Sequence, residues 1–317
     1  MFKNYIGWHL ELTQRCPLAC PACERTIFFE KVNPKLDINT QHIKNFFSPD
    51  YLKNQQVQFQ GNLGDPIYHP EFHEIAEHFF TVEYLNVTTN GMHRQDFWRR
   101  VLETWPSTSE ITLSIDGLQD TNHLYRVNSK WDQIQGLFDL IASTKRQCKI
   151  EWKFIVFEHN YHQVEQAQKI AKSIGIDKFR IQKTRYLDPD DLGDRAADLK
   201  EYHDPRWFQY QTGKIEYKDQ LSPFCHTGDM HYIDARGDYY PCCWWADNNI
   251  QTGFWDPVNI KDNTIADCKL AFNNFAGHLA GYINTPDVCK FFCRTVKDNT
   301  DEYKTMNTQL NRKVIHL

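Results

Sequence analysis

The residues with the most chemistry in this sequence are its ten cysteines, and they are unevenly placed along 317 positions. RCPLACPAC sets Cys16, Cys20 and Cys23 at C-x3-C-x2-C spacing. Three thiolates on so short a loop can bind three irons of a 4Fe-4S cubane and leave the fourth iron open to a ligand. A zinc knuckle is the alternative, but structural zinc takes four ligands in paired units and no fourth partner stands nearby in sequence. A second set, Cys225, Cys242, Cys243, Cys268, Cys289 and Cys293, fills the last third, where four thiolates can make either a cluster or a zinc site. Cys148 stands alone and reads as a small residue at the start of a strand. Histidines form no HxH or HExxH pair, which argues against a mononuclear metalloenzyme.

A chain of this length can bury a sizeable core without disulfides or metals, so the cysteines call for a chemical role. Hydrophobic residues at 41% and charged ones at 24% are ordinary globular usage. Mean hydropathy is -0.65 and no apolar run reaches eighteen residues, which speaks against a membrane span. The N-terminus has no apolar export segment, so a reducing cytoplasm is expected, where clustered cysteines are ligands more often than disulfides. A formal charge of -5 with no basic run gives no footprint for a nucleic-acid duplex.

The elements that must position these residues alternate in type. Apolar or β-branched runs begin at Trp8, Val57, Tyr84, Glu110, Lys149 and Lys178, each followed by a turn and then by helical spacing. Strand and helix repeated six times imply a parallel α/β sheet, open or curled into a partial barrel. In EITLSIDG, Ile111, Leu113 and Ile115 share one face, while Thr112, Ser114 and Asp116 share the other. His9 and Glu11 alternate with apolar residues on the first strand in the same way. Ligands of such folds sit at the C-terminal strand tips, here marked by Thr13, Gln60 and Asn90.

With its cysteine loop directly after the first strand, the sequence resembles the radical S-adenosylmethionine enzyme superfamily. That resemblance implies a partial (β/α)6 TIM-like barrel over residues 1–186. It implies that Cys16, Cys20 and Cys23 hold a 4Fe-4S cluster whose open iron chelates S-adenosylmethionine. Reductive cleavage then gives a 5'-deoxyadenosyl radical that abstracts a substrate hydrogen, the cofactor carrying the chemistry and the protein the positioning. GNLGDP stands where the family has a Gly-Gly-Glu-Pro turn, so Gly64 and Asp65 are expected on the cofactor's ammonium group. TTNG offers Asn90, and SIDGLQDTNHLYR offers Ser114 and Arg126 for the cofactor carboxylate. Two positions depart from the pattern: Ala22 replaces an aromatic residue before the third cysteine, and Asp65 is one methylene shorter than glutamate.

The resemblance extends past an aspartate- and proline-rich linker or lid at 187–222. Cys225, Gly237 and Cys242 match the opening of the auxiliary-cluster domain called SPASM, or twitch when shorter, which is expected at 223–317. One auxiliary 4Fe-4S cluster is expected on Cys225, Cys242, Cys289 and Cys293, with Cys243 and Cys268 as alternates. HYIDARGDYYPC should form a hairpin that turns at Arg236 and Gly237. The implied activity is an oxidoreductase that modifies a peptide or protein residue or dehydrogenates a small metabolite, with a flavodoxin- or ferredoxin-type electron donor as partner. A nucleotide substrate, or a non-enzymatic protein with structural zinc or iron-sulfur sites, are the alternatives.

Overall fold

The computed structural model describes residues 7–183, 217–221, 230–243, 245–246, 257–279, 294–297, 303–305 and 312–317. In chain order the strands are β1 (Gly7–Leu10), β2 (Gln56–Phe59), β3 (Tyr84–Thr89), β4 (Ser109–Ser114), β5 (Lys149–Val156), β6 (Lys178–Lys183), β7 (Tyr217–Leu221), β8 (Met230–Ile233), β9 (Asp238–Tyr240), β10 (Val258–Asn259), β11 (Arg294–Lys297), β12 (Tyr303–Thr305) and β13 (Arg312–His316). The chain forms two compact units. One comprises Met1–Cys16, Ile27–Val87 and Tyr217–Thr308; the other comprises Pro17–Thr26, Thr88–Glu216 and Gln309–Leu317.

In the first unit, β1 and β2 show the two-residue period of strands with one apolar face. Trp8, Leu10, Val57 and Phe59 are buried, while His9, Gln56 and Gln58 are only half-buried. β1 pairs in parallel with β2, Trp8 opposite Val57, and β2 pairs in parallel with β3. Beneath Trp8 lie Phe46 and Phe47, edge-on at 5.6 and 4.9 Å, and Phe79 packs on both Phe47 and Phe59. Full burial of each such phenylalanine stabilises the fold by roughly 1.5–3 kcal/mol. The helix Thr40–Phe46 starts at Asn39, whose side chain accepts the His42 N–H, and it turns Ile43 and Phe46 into this cluster.

The expected hairpin is present as β8 and β9, which pair antiparallel with Tyr232 opposite Tyr240. Gly237 supplies the turn with φ +87°, a conformation that strains any side-chain-bearing residue. β8 also pairs in parallel with β1, Leu10 opposite Ile233, so this C-terminal segment extends the sheet of the first strand. β10 follows on β9, and β12, β11 and β7 make a separate three-stranded sheet.

The second unit holds β4, β5 and β6 in parallel, with β13 antiparallel on β6. All six residues of β4 are buried. The helix Trp131–Ser143 buries Ile134, Leu137, Phe138 and Ile141 at helical spacing, and Phe138 meets Trp152 of β5 at 5.0 Å. This is the mixed α/β architecture with parallel strands that the alternating pattern implied. No helix among the described residues is long and apolar enough to cross a membrane.

Candidate cofactor site

In the first unit the chain leaves β1 through Glu11 to Cys16 and is held by side chains on both flanks. The Thr13 hydroxyl donates to Asp37 Oδ1 at 2.6 Å, and the Arg15 guanidinium donates to both Asp37 oxygens at 2.7–3.0 Å. Burial pushes the Asp37 carboxyl up, but the hydrogen bonds from Arg15 and Thr13 outweigh it and leave its pKa lowered. The Gly61–Pro66 turn lies directly on this segment. A Cβ added at Gly64 would stand 1.9 Å from the Thr13 carbonyl oxygen, so only glycine permits the approach. The Asp65 N–H donates to the Arg15 carbonyl at 2.9 Å, which ties the turn to the residue before Cys16. Asp65 is buried, and its Oδ1 accepts the Ile67 N–H at 3.3 Å. Close to Asp65 and Cys16, the Tyr68 hydroxyl is pushed far above its ordinary pKa, first by burial and then by those two groups.

Behind the turn lies a buried polar set. Glu11 accepts the Leu63 N–H at 2.6 Å through Oε1 and the Tyr232 hydroxyl at 3.0 Å through Oε2. Burial lifts its carboxyl to about 7, and lifts Asp234 to about 7 as well. His9 shares its Nε2 with the Gln60 carbonyl and is lowered to about 4, because burial penalises the imidazolium.

In the second unit Cys20 and Cys23 lie in one turn, the Cys23 N–H donating to the Cys20 carbonyl at 3.1 Å. The Ala19 N–H donates to the Val127 carbonyl at 3.1 Å, which brings this loop to the segment that carries Arg126. Arg126 Nη1 stands 3.8 Å from Cys20 Sγ, and its Nε donates to Asp116 Oδ2 at 2.6 Å. The Asp116 side chain is fully buried and its Oδ1 accepts the Ile155 N–H at 2.7 Å, so β5 fixes the acid that fixes the arginine. Burial alone would lower the guanidinium's pKa, but Asp116 and the Cys20 thiol outweigh it and raise it. Both Cys20 and Cys23 are raised by burial, with Arg126 pulling Cys20 back. Ser114 is buried at the end of β4, and Asn90 is buried with its Oδ1 accepting the Met92 N–H at 2.8 Å.

Of the second cysteine set, Cys225, Cys289 and Cys293 lie outside the described residues, as do 187–216 of the lid. Cys242 and Cys243 are half-buried just past β9, and Asn62 Nδ2 donates to the Cys243 carbonyl at 3.3 Å. Cys268 is buried on the helix Ile265–Leu279, its thiol pushed by burial up to about 12. Among the described residues no three His, Cys, Asp or Glu side chains converge as ligands of a single metal ion. The loop nevertheless fits an iron-sulfur cluster chemically: Cys16, Cys20 and Cys23 are free thiols, and a guanidinium stands beside one of them to balance thiolate charge.

Asp116, Glu11 and Tyr232 are the polar residues that carry these contacts without having been singled out as site residues. The alternation of β1 and β4 signals that Glu11 and Asp116 leave the apolar face, but nothing local points to Tyr232 or Arg126 as their partners.

No family model matches the chain. A curated relative, the PqqA peptide cyclase of Methylocella silvestris, is 22% identical over 185 residues, 58% of this chain and 48% of that protein. The match thus spans about half the length of that relative. Streptococcus suis SuiB bound to S-adenosylmethionine superimposes with TM-score 0.61 at 12% identity, over 88% of this chain and 68% of SuiB. SuiB bound to its precursor peptide SuiA gives 0.58 at 13%, over 83% of this chain and 64% of SuiB. Native anSMEcpe with bound AdoMet and a Cp18Cys peptide gives 0.53 at 16%, over 83% and 79%. The likeness to these structures establishes the fold, a parallel α/β sheet of the partial-barrel kind. In sequence the chain is thus similar to the PqqA peptide cyclase, and in fold to SuiB and anSMEcpe.

Proposed function

We propose that this protein is a radical S-adenosylmethionine enzyme that modifies a residue of a peptide or protein, with Cys16, Cys20 and Cys23 holding the radical-generating 4Fe-4S cluster and one auxiliary 4Fe-4S cluster held in the C-terminal region. The single observation that carries the site is the buried guanidinium of Arg126 standing beside Cys20 while Asp116 fixes it from behind. Held by Cys16, Cys20 and Cys23, the cluster would supply one-electron reduction of S-adenosylmethionine, and with it the means to abstract a substrate hydrogen.

The chain's own residues bind and orient. With Nε on Asp116 and Nη1 toward Cys20, Arg126 would offer a fixed charged donor to the cofactor carboxylate, and the Ser114 hydroxyl would donate to the same group. Asp65 and the carbonyls of the Gly61–Pro66 turn would accept from the ammonium group, and Asn90 would line the site at the tip of β3. The domain division is 1–186 for the barrel, 187–222 for the lid and 223–317 for the auxiliary domain. Cys225, Cys242, Cys289 and Cys293 are the auxiliary ligands, with a flavodoxin- or ferredoxin-type donor supplying electrons. The peptide substrate class is supported by the relatives: one is named for a peptide it cyclises, and two are seen with peptides bound.

Iron and acid-labile sulfide after anaerobic reconstitution test this reading. The unmodified protein should hold about eight irons and the Cys16, Cys20, Cys23 triple alanine variant about four, the content of two cubanes and then one. Cofactor cleavage that survives in the triple variant refutes the mechanism. Arg126→Ala should weaken S-adenosylmethionine binding by roughly 1.5–3 kcal/mol, the loss of a charge-assisted hydrogen bond; unchanged affinity by calorimetry removes Arg126 from the site.

A further inference from the structure

A buried polar assembly that the mechanism leaves unused sits directly behind the Gly61–Pro66 turn. Glu11 is 1% exposed. Its N–H donates to the Ile233 carbonyl at 2.8 Å, so its backbone runs alongside β8. Its two carboxylate oxygens face different parts of the chain, Oε1 to the Leu63 N–H and Oε2 to the Tyr232 hydroxyl. Leu63 immediately precedes Gly64 and Asp65. Tyr232 lies on β8 of the C-terminal hairpin, 1% exposed, and its ring stands edge-on to His9 at 4.8 Å. A second link runs in parallel, from Asn62 Nδ2 of the turn to the Cys243 carbonyl just past the hairpin.

The turn is therefore anchored from several sides. Its Asp65 N–H binds the backbone before Cys16, its Leu63 N–H binds Glu11, and its Asn62 side chain binds the hairpin's exit. The Glu11 anchor is itself held by a side chain from the hairpin, the Tyr232 hydroxyl. A carboxylate bridging two donors transmits position, because each bond restricts the rotamer that the other requires.

We propose that Glu11 is a positioning residue that couples the S-adenosylmethionine turn to the C-terminal hairpin, so that Tyr232, which does not touch the cofactor, sets how tightly the turn binds it. The proposal rests on the reading that Gly64 and Asp65 hold the cofactor's amino group. Its consequence is that seating of the C-terminal hairpin is felt at the cofactor site through one carboxylate. Without the tyrosine hydroxyl, Glu11 gains rotameric freedom, and the Leu63 N–H loses a fixed acceptor.

Tyr232→Phe, Glu11→Gln, their double variant and Asp65→Asn test this in reconstituted full-length protein, with S-adenosylmethionine itself as the probe. Tyr232→Phe keeps the buried ring and removes only the hydroxyl, so it remains informative if Glu11→Gln folds poorly. It should raise the KM for S-adenosylmethionine in cofactor cleavage about 2- to 10-fold, the value of one hydrogen bond, with iron content and the rate at saturation unchanged. A merely structural loss would lower iron content or the saturated rate instead. The double variant should be no weaker than Glu11→Gln alone, because both changes break one bridge. An additive double, or an unchanged KM in Tyr232→Phe while Asp65→Asn loses affinity, overturns the proposal and leaves the turn reading intact. Unchanged affinity in Asp65→Asn overturns the turn reading and the proposal with it.

Discussion

In the second unit, buried acids lie on cations: Asp116 on Arg126, Glu110 on Lys178 and Glu151 on Arg180, every one of these side chains 15% exposed or less. In the first, Glu11 is buried among a backbone N–H, a tyrosine hydroxyl and a neighbouring acid, and no cation reaches it among the described residues. Among the described residues Asp234 pairs with the half-exposed Arg236 at 3.3 Å and accepts the N–H groups of Arg236 and Asp238. Both arrangements offset desolvation, but differently. Close cations offset burial in the second unit, whereas at Glu11 the hydrogen bonds leave burial dominant, and at Asp234 burial and Asp238 outweigh Arg236, so both acids move toward neutrality. The second unit thus holds buried charges fixed in pairs, and the first holds acids whose pKa lies near neutral pH.

The largest effect should come from removing one member of a pair. Asp116→Ala leaves the Arg126 guanidinium buried without its acid, which typically costs about 3–5 kcal/mol. Urea unfolding of the variant should show that loss, and it should exceed the loss from Glu11→Gln at pH 7. A midpoint within error of the unmodified protein would mean that the guanidinium finds other partners, and the contrast between the units would fail.

The second effect is in pH. Glu11 titrates at about 7 in the fold against 4.5 in the open chain. Between those values the folded state binds the extra proton, so stability falls as pH rises. Asp234 acts in the same direction, from 3.8 to about 7. His9, lowered from 6.5 to about 4, acts oppositely and costs stability as pH falls below 6.5. Subtracting Glu11→Gln from the unmodified protein isolates the first of these. From pH 5 to 7 the unmodified protein should lose roughly 1–3 kcal/mol more than the variant, at 1.36 kcal/mol per pKa unit. Parallel unfolding curves across that range would remove Glu11 as a titrating group and with it the pH-responsive half of the comparison.

What the sequence makes legible is what lies within one turn or one strand. The cysteine loop, the glycines of GNLGDP and the hairpin around Gly237 are local patterns, and a close approach or a positive φ leaves its mark on residue type. The alternation of β4 likewise places Asp116 off the apolar face. Partners across the sheet leave no such mark. Tyr232 and Glu11 are 221 residues apart, and the pairing of β8 with β1 that brings them together is set by the packing of Trp8 with His231 and Tyr239, not by any motif. Arg126 is read from the sequence as a carboxylate fork, but its hold on Asp116 and its approach to Cys20 depend on the loop at Ala19 meeting Val127. Local chemistry is written in residue types and spacing, whereas the acids' partners follow only from tertiary register.

The smallest effect belongs to an intact pair removed whole. Glu110 on β4 and Lys178 on β6 flank the start of their strands, 5% and 15% exposed, and both lose hydration on folding. Replacing both, Glu110→Leu with Lys178→Met, removes two desolvation costs along with one attraction, so stability should stay within about 1 kcal/mol of the unmodified protein or rise. Lys178→Met alone should cost about 3 kcal/mol or more, because it leaves the Glu110 carboxylate buried without its cation. The thermodynamic cycle through the two single variants and the double, read by urea unfolding, separates these values. If the double variant is as unstable as the worse single, the pair itself contributes net stability, and the second unit's ion pairs hold the sheet together rather than merely tolerating burial.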